Sequence, residues 1–302
     1  MSSPLIVLHS RPTTHPVTSR LFCFHWSGGN VNSFKNWANT VESQQSNTEI
    51  YGVTWRSRNQ VYCDVKQVVT DLRQTLFDLR LLDPNIKIIF FGHSLGGIIA
   101  FELVRQLESE SYNIQHLFVS AVKHPTYLTD LNRDDSVSKR YKDTEDELFK
   151  HIQGIGGLPA GVHPDFLKMS LKGIKQDYVI FETYLYDKSM TVLGSKSSIQ
   201  IICPITSMSG HNDFDVPESA MTQWSTYTAA YQTHYCFGDA SKGDHFFVND
   251  PSFKLEVLAI VFSICSLPPT QLHTQEVQEQ EEQTEVERRN RVSSIHPIIA
   301  NF

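Results

Sequence analysis

The 302-residue sequence has few cysteines, and their arrangement excludes two common kinds of scaffold. The five are odd in number and scattered, and no two form a C-x-x-C pair, so neither a disulfide framework nor a zinc site is indicated. Reduced thiols in the cytosol are the simplest interpretation, and we predict small core residues in a cytoplasmic protein. These cysteines are Cys23, Cys63, Cys203, Cys236 and Cys265.

Long hydrophobic runs and basic clusters are also missing. The N-terminal apolar run, residues 5–8, is too short for a signal-peptide core, and no window approaches the roughly 20 apolar residues of a membrane span. The net charge is −7, without a large basic block. Binding to nucleic-acid phosphates needs clustered Lys and Arg, so nucleic-acid binding has little support. We expect a globular protein without stable membrane insertion.

Strand-like and helix-like segments alternate along the first part of the chain. Apolar patterns predict strands over residues 20–26, 49–55, 86–91 and 116–122, and helices over residues 33–42, 65–82 and 97–108. The segment IKIIFF, residues 86–91, is apolar nearly throughout, as a central strand buried on both faces should be. The alternation predicts an α/β fold with a mostly parallel sheet and crossover helices.

The alternation stops over about residues 124–197, a charged and helical stretch that is too long to be one loop. We interpret it as an inserted helical lid. Further strands are predicted at residues 198–208 and 233–238, with a helix around Trp224 between them and a last helix at 251–264. The predicted folded domain covers residues 20–266.

The two ends of the chain are predicted to lie outside this domain. Residues 1–19 are interpreted as an N-terminal extension. Residues 267–302 are rich in Gln and Glu and cannot bury enough apolar surface to offset their ordering entropy. We therefore predict a polar, disordered C-terminal tail.

The stretch Gly92-His93-Ser94-Leu95-Gly96 follows a predicted buried strand and opens a predicted helix. This is the context in which G-x-S-x-G forms a nucleophile elbow. The turn is so tight that side chains at Gly92 and Gly96 would clash, and the helix N-terminus favours developing negative charge at Ser94. The alternative is a helix-capping serine in a glycine-rich turn.

A serine hydroxyl needs a base, and the base needs an orienting acid, which follow the serine in the order acid, then histidine. His245 lies in the loop after the last predicted strand, where the base is expected. His234 inside a strand and His211 before the acid loop are weaker candidates. His93 in the elbow itself is expected to support packing.

Two aspartates, Asp213 and Asp215, follow the predicted strand that ends near residue 208. We favour Asp213 at the loop crest, because Asp215 stands where an aspartate commonly caps a helix. Asp239 and Asp244 are too close to His245 in sequence.

The predicted oxyanion hole uses two backbone amides. One is the amide of Leu95, and the other comes from the stretch HWSGG, for which we favour Ser27 over Trp26. Gly28 and Gly29 are also compatible with an ordinary tight turn.

Six stretches carry a family resemblance, and together they span about residues 20–266. They are LFCFHWSGGNVNSFKNWA, FFGHSLGGIIAFEL, LFKHIQGIGGLP, DYVIFETYLY, CPITSMSGHNDFDV and GDHFFV. The chain resembles the type II thioesterases of fatty acid, polyketide and nonribosomal peptide synthases, and their animal relatives, the medium-chain fatty acyl thioesterases.

The resemblance implies an α/β-hydrolase in which a small helical lid covers a channel for an acyl-phosphopantetheine arm. It supports Ser94, Asp213 and His245 as catalytic residues and places Ser27 and Leu95 at the oxyanion positions. The implied partner is an acyl carrier protein or a synthase carrier domain. We expect a monomer that needs no metal and no organic cofactor.

Three departures from the family pattern concern substrate preference more than the triad. His25 stands where the family usually has Pro, residues 55–58 (WRSR) replace a Pro-Gly-Arg turn, and Asp244 replaces the glycine before the histidine. A carboxylate at Asp244 is expected to raise the imidazole pKa or to compete for its orientation.

Alternatives remain open at this stage. The same triad would serve a carboxylesterase or lipase that acts on small oxygen esters, and a hydrolase fold can also persist as a non-catalytic binding protein. Four apolar residues of the predicted lid either line an acyl channel or pack the lid onto the sheet. These are Leu148, Ile152, Leu167 and Phe181.

Overall fold

The computed structural model of the chain describes residues 5–13, 15–40, 46–56, 61–158, 163–189 and 200–267. Residues Met1–Ser266 form one compact unit, and Leu267–Phe302 form a second, of which only Leu267 is among the described residues. The predicted disordered tail therefore lies, from residue 268 onward, outside the described residues. None of the described helices combines the length and apolar character that crossing a bilayer requires.

A mostly parallel sheet lies at the centre of the first unit, as predicted. Within the described residues it has seven strands in the order β1-β3-β2-β4-β5-β6-β7. Only β1 runs antiparallel to its neighbour. The strands are β1 (Ile6–Ser10), β2 (Ser19–Phe24), β3 (Thr48–Val53), β4 (Lys87–His93), β5 (Ile114–Ser120), β6 (Ile205–Gly210) and β7 (Gln232–Phe237).

Seven α-helices are described, and most connect successive strands. They are α1 (Val65–Asp78), α2 (Leu95–Ser109), α3 (Pro125–Arg133), α4 (Glu145–Gly154), α5 (Pro164–Glu182), α6 (Glu218–Thr222) and α7 (Lys254–Ser266). The two long N-terminal crossovers, α1 and α2, begin within two residues of their predicted starts. This agreement follows from the apolar stripe of α1 and the glycine-flanked corner before α2.

The core has two layers, one on each face of the sheet. Phe90 of β4 packs in a cluster with Ile98 and Ile99 of α2. Its neighbours Ile89 and Phe91 pack on the opposite face with residues of α7, because successive strand side chains point to opposite faces. All seven residues of β4 are buried. The strand that leads into Ser94 is therefore held firmly from both sides.

The N-terminal residues differ from the prediction. Residues 1–19 were expected to lie outside the domain, but Ile6–Ser10 form β1, and Ser19 begins β2. The Thr54 N–H donates to the Leu5 carbonyl at 2.8 Å. An edge strand needs only one buried face, so a short apolar run is sufficient to form it.

The strand predicted at residues 198–208 begins later, at Ile205. The carboxylate of Glu108 accepts hydrogen bonds from the N–H groups of Ile202 (2.6 Å) and Cys203 (2.9 Å). The next residue is Pro204, which has no N–H. These backbone groups are thus removed from the sheet ladder. Residues 190–199 lie outside the described part of the chain.

Two predicted helices are shorter than expected. The helix predicted over residues 65–82 ends at Asp78, where Arg80 adopts φ 54° and turns the chain away. Leu79 is therefore 52% exposed and does not continue the buried stripe. The helix predicted over residues 33–42 is a 3₁₀ helix over Lys35–Asn39.

The five cysteines are all free thiols in the structure. Cys23, Cys203 and Cys265 are buried, as predicted for small core residues, whereas Cys63 and Cys236 are exposed.

Helices α3, α4 and α5 occupy the stretch predicted to form a lid, and no strand lies among its described residues. Helices α4 and α5 share a small separate core. Its buried members are Leu148, Ile152, Ile155, Leu167, Leu171 and Ile174. Phe181 packs partly against the main core instead. Three of the four apolar residues singled out from the sequence therefore pack helix against helix.

Candidate active site

The three proposed catalytic side chains follow three different strands. Ser94 follows β4, Asp213 follows β6 and His245 follows β7. Strands β4 to β7 are parallel, so their carboxyl ends lie at one edge of the sheet. Loops at this edge form the usual ligand site of open α/β sheets.

Ser94 occupies a strained corner between β4 and α2. Its backbone angles are φ 54° and ψ −127°, which are costly for a residue with a Cβ atom. The Ser94 N–H donates to the Ser120 carbonyl of β5 at 2.8 Å, and its carbonyl accepts from Gly97 N–H at 2.8 Å. The corner is thus held by the neighbouring strand and by the first turn of α2, with the half-buried side chain at the sheet edge.

Gly92 and Gly96 allow this corner to close. A Cβ atom at Gly92 would overlap the backbone of Gly96 and Gly97. A Cβ atom at Gly96 would overlap the carbonyl groups of Phe24 and His25 at the end of β2. Backbone cannot yield as a flexible side chain can, so both positions require glycine. The close approach at Gly96 also brings the start of α2 against the end of β2.

Asp213 and His245 are joined by a short, buried hydrogen bond. His245 Nδ1 donates to Asp213 Oδ2 at 2.7 Å, and the two side chains are 7% and 1% exposed. The other oxygen, Oδ1, accepts from the N–H groups of Asp215 (3.1 Å) and Val216 (3.0 Å). Because Nδ1 is occupied by the carboxylate, Nε2 is the nitrogen left for acid–base chemistry.

The loops that carry these two residues are tied to each other. The Asn212 N–H donates to the Gly243 carbonyl at 2.7 Å, and the His211 N–H donates to the Phe237 carbonyl at 2.8 Å. Gly243 has φ 92°, which favours glycine. The acid and the base are therefore aligned by backbone as well as by their own hydrogen bond.

The rival acids take other roles. Asp215 lies 3.4 Å from His151 Nε2, and it is not the expected helix cap, because α6 begins at Glu218 with Pro217 as its N-cap. Asp244 does not take the imidazole, since its Oδ1 accepts from the Phe246 N–H at 2.8 Å. Burial raises the pKa of the Asp244 carboxyl.

The other candidate histidines are placed as follows. His234 lies inside β7 and is hydrogen-bonded to Ser207 Oγ at 2.8 Å, while His211 is exposed. His93 is fully buried and is hydrogen-bonded to Ser120 Oγ at 2.9 Å. Burial holds the pKa of His93 well below its usual range, so it packs as a neutral ring.

His93 also links the base to the elbow. The ring of His245 lies 5.3 Å from that of His93, the residue that precedes Ser94. Among the described residues, the Ser94 hydroxyl has no hydrogen-bond partner in this structure. Catalytic hydrogen bonds of this kind are often long in the free enzyme and tighten when substrate binds.

The two predicted oxyanion amides lie after neighbouring strands. Phe24 at the end of β2 is in register with Gly92 of β4. Ser27 is in a tight turn closed by a 2.9 Å hydrogen bond from the Gly29 N–H to the Trp26 carbonyl. Leu95 is the first residue of α2, where a backbone N–H has no partner inside the helix.

His25 supports this turn from the sheet side. Its Nδ1 donates to the Trp26 carbonyl at 2.7 Å, and its Nε2 accepts from the Thr54 hydroxyl at 2.9 Å. Its ring centroid lies 4.0 Å from that of Trp55. Complete burial lowers the pKa of His25 to about 3, so the ring is neutral at physiological pH.

Asp177, a residue outside the predicted site, supports the same turn from the insertion. Its Oδ2 accepts from the Gly28 N–H at 2.8 Å. The signal was present in the sequence, because Asp177 continues the apolar stripe of Leu167, Leu171 and Ile174 along α5. A carboxylate on a buried stripe indicates that it has polar partners.

Comparisons with known proteins identify the family of the chain. A family model described as "Thioesterase domain" matches residues 19–265. The gramicidin S biosynthesis protein GrsT of Aneurinibacillus migulanus is 27% identical over 242 residues, covering 78% of this chain and 85% of GrsT. The medium-chain S-acyl fatty acid synthase thioesterase of Rattus norvegicus is 25% identical over 251 residues, covering 77% of this chain and 82% of that protein.

The solved structures include similar folds. The type II thioesterase BorB from the borrelidin biosynthetic cluster matches with a TM-score of 0.70 at 24% identity, and the match covers 88% of this chain and 99% of BorB. At this identity the likeness shows the fold.

Proposed function

This chain belongs to the thioesterase domain family, and from that premise we propose that Ser94, His245 and Asp213 hydrolyse acyl thioesters carried on the phosphopantetheine arm of a carrier protein. The observation that carries the proposal is the 2.7 Å hydrogen bond between His245 and Asp213 at the sheet edge that also carries the strained corner of Ser94. An acid that fixes a histidine beside an elbow serine is the arrangement that activates an alcohol.

In the first half of the reaction, His245 Nε2 takes the Ser94 proton while Oγ attacks the thioester carbonyl carbon. The carbon becomes tetrahedral, and its oxygen carries the negative charge. When the carbon–sulfur bond breaks, the thiolate leaves and takes the proton held by His245. The acyl group then remains on Ser94 as an ester.

In the second half, His245 removes a proton from water, and the hydroxide attacks the acyl-enzyme. Collapse of the second tetrahedral intermediate returns the proton to Ser94 and releases the carboxylic acid. Asp213 accepts the Nδ1 hydrogen bond throughout, which keeps Nε2 facing the reacting atoms and stabilises the imidazolium.

The amides of Leu95 and Ser27 are proposed to bind the developing oxyanion. The Leu95 N–H is free of intrahelical bonding and lies at the positive end of α2. The Ser27 amide is in a turn that the close packing of Gly96 brings next to the start of α2. Fixed donors aimed at developing charge contribute the largest share of such catalysis.

The carrier-protein substrate is supported by what the relatives are named for. GrsT is named for gramicidin S biosynthesis, and the rat relative is named a fatty acid synthase thioesterase. We propose that α3, α4 and α5 form a lid beside the acyl chain, supported by the contact of Asp177 in α5 with the oxyanion turn.

The test is hydrolysis of acyl-carrier-protein thioesters by the wild type and by Ser94→Ala. Loss of the nucleophile is expected to reduce kcat by at least about 10⁴-fold. Ser263→Ala, at an exposed position on α7, is the matched control and should keep full activity. Mass spectrometry should find a fluorophosphonate adduct on Ser94.

Two results would contradict the proposal. Faster turnover of matched free oxygen esters than of carrier-protein thioesters would favour a carboxylesterase. Absence of any adduct on Ser94 would remove the enzymatic interpretation altogether.

A further inference from the structure

The carboxylate of Asp177 lies deep in the interior, between the insertion and the sheet. The residue is 1% exposed, although it belongs to α5 rather than to the main core. A buried carboxylate is costly unless several donors compensate for the water it has lost. The partners of Asp177 therefore indicate what its placement achieves.

Those partners belong to the two loops that follow β2 and β3. Asp177 Oδ2 accepts from the Gly28 N–H at 2.8 Å and from the Arg56 guanidinium at 2.5 Å. Oδ1 accepts from the Trp55 indole N–H at 3.0 Å. One side chain thus joins α5 to both loops.

Packing reinforces the contact with the β2 loop. Ile174 lies one turn before Asp177 on α5 and packs closely against Gly28. A Cβ atom added at Gly28 would lie 2.6 Å from Ile174 Cγ1. Gly28 has φ 93°, which favours glycine in this turn, and its N–H donates toward α5. The apolar contact and the hydrogen bond hold the same residue.

We propose that Asp177 is a positioning residue for the oxyanion site, which holds the Trp26–Gly29 turn so that the Ser27 amide faces the reacting carbonyl. This inference rests on the proposed function, because it assigns the Ser27 amide the oxyanion role. The departures from the family pattern at His25, Trp55 and Arg56 also contribute to this support, whereas residues 57 and 58 lie outside the described residues. His25 contacts Trp55, and both Trp55 and Arg56 bind Asp177. The insertion therefore supports catalysis through a contact with the turn.

The test uses Asp177→Asn, which keeps the shape of the side chain but weakens the charge-assisted bonds to Gly28 and Arg56. A misplaced oxyanion amide lowers the rate of the chemical step, and kcat is expected to fall on the order of 10- to 100-fold while KM changes less than about threefold. The rate of fluorophosphonate labelling at Ser94 should fall in parallel, because the phosphonyl oxygen uses the same amides.

Glu182→Gln is the matched control on the same helix. The Glu182 carboxylate also accepts two backbone N–H bonds, from Arg140 at 2.8 Å and from Tyr141 at 3.1 Å, but these lie within the insertion. A general loosening of α5 would affect both variants. The positioning role predicts that Glu182→Gln keeps kcat and the labelling rate within about twofold of the wild type.

Two results would overturn the proposal. One is that Asp177→Asn folds and keeps the wild-type kcat and labelling rate, and the other is that Asp177→Asn and Glu182→Gln lose them equally. If Asp177→Asn does not fold, Arg56→Lys carries the test, because it removes the guanidinium bonds while keeping a cation. A selective loss of kcat in that variant supports the proposal, and an unchanged kcat overturns it.

Failure of the proposed function would give a different pattern. A wild type that is labelled at Ser94 but does not hydrolyse carrier-protein thioesters defeats only the substrate class, and the labelling rate of Asp177→Asn then still tests the positioning role. A wild type in which Ser94 is not labelled overturns both proposals.

Discussion

The corner after β4 and the turn after β2 lie at the same sheet edge, but different parts of the chain hold them. The corner is closed by Gly92 and Gly96, which are within two residues of Ser94, and by the backbone they contact. The turn is held by Asp177, 149 positions away in sequence, and by His25 beside it. One half of the proposed oxyanion site is thus encoded locally, and the other half depends on the insertion.

This difference has consequences for how each part fails. Larger side chains at the corner would clash with packed backbone and should reduce both stability and activity. Larger side chains around the turn would clash with other side chains, which can move, and should reduce activity more than stability.

The largest effect on kcat is expected at Asp213, which aligns the histidine that activates Ser94. Asp213→Asn should lower kcat by about 10⁴-fold, because an amide in place of the carboxylate no longer holds the correct histidine tautomer. Kinetics on a carrier-protein thioester measures this. Asp215→Asn is the control, and its activity should stay within about threefold. Equal losses in the two variants would remove Asp213 from the triad.

A change at the corner should produce the next largest effect. Gly96→Ala places a methyl group on the Phe24 and His25 carbonyls, and overpacking against backbone should cost about 3 kcal/mol of unfolding free energy. Urea denaturation, together with kcat, measures it. Gly154→Ala is the control, since its Cβ would meet only Phe214, at 3.9 Å, and stability should change by less than about 1 kcal/mol. A Gly96→Ala protein as stable and active as the wild type would contradict the account of the corner.

The support under the turn should depend on pH. His25 is neutral in the folded protein, with a pKa of about 3, and titrates near its usual pKa of 6.5 when unfolded. Its stability contribution is therefore complete above pH 6.5 and declines as the pH falls toward 3. Between pH 7 and pH 5 the loss is about 2 kcal/mol.

The comparison of the wild type with His25→Asn isolates this contribution, because the other buried histidines are the same in both proteins. Urea denaturation at pH 7 and pH 5 should show a stability difference between the two pH values that is smaller in the variant by about 2 kcal/mol. The same pH dependence in both proteins would show that His25 is not held neutral by the fold.

The smallest effect on stability is expected at the turn itself. Gly28→Ala forces a residue with a Cβ atom into φ 93° and against Ile174, whose side chain can move, at a cost of about 1 kcal/mol. This variant should still lose kcat, because the Ser27 amide shifts with the turn. If Gly28→Ala destabilises the protein as much as Gly96→Ala does, the two halves are not held in different ways.

The predictable parts of the molecule were those with local signals. Strand β4 was evident from residues 86–91, of which five of six are apolar, and the corner was evident from the spacing of Gly92, Ser94 and Gly96. Asp213 was preferred to Asp215 from its place in the loop, and the structure places it, and not Asp215, on the imidazole. The mostly parallel direction of the sheet followed from the alternation of strands and helices.

The parts that sequence could not predict depend on distant partners. The late start of β6 depends on Glu108, whose carboxylate binds two N–H groups more than 90 positions away. The contact of Asp177 with Gly28 likewise joins segments that no local pattern connects. Strand β1 was missed because an edge position leaves Leu8 41% exposed, so its apolar pattern is brief.

The two oxygens of Asp213 accept hydrogen bonds from different partners. One is anchored to amides of its own loop, and the other to His245, so every hydrogen bond described at this carboxylate comes from the β6 and β7 loops. The helices between β5 and β6 supply none of these described bonds, so the proton-transfer pair should keep its alignment when a substitution shifts those helices.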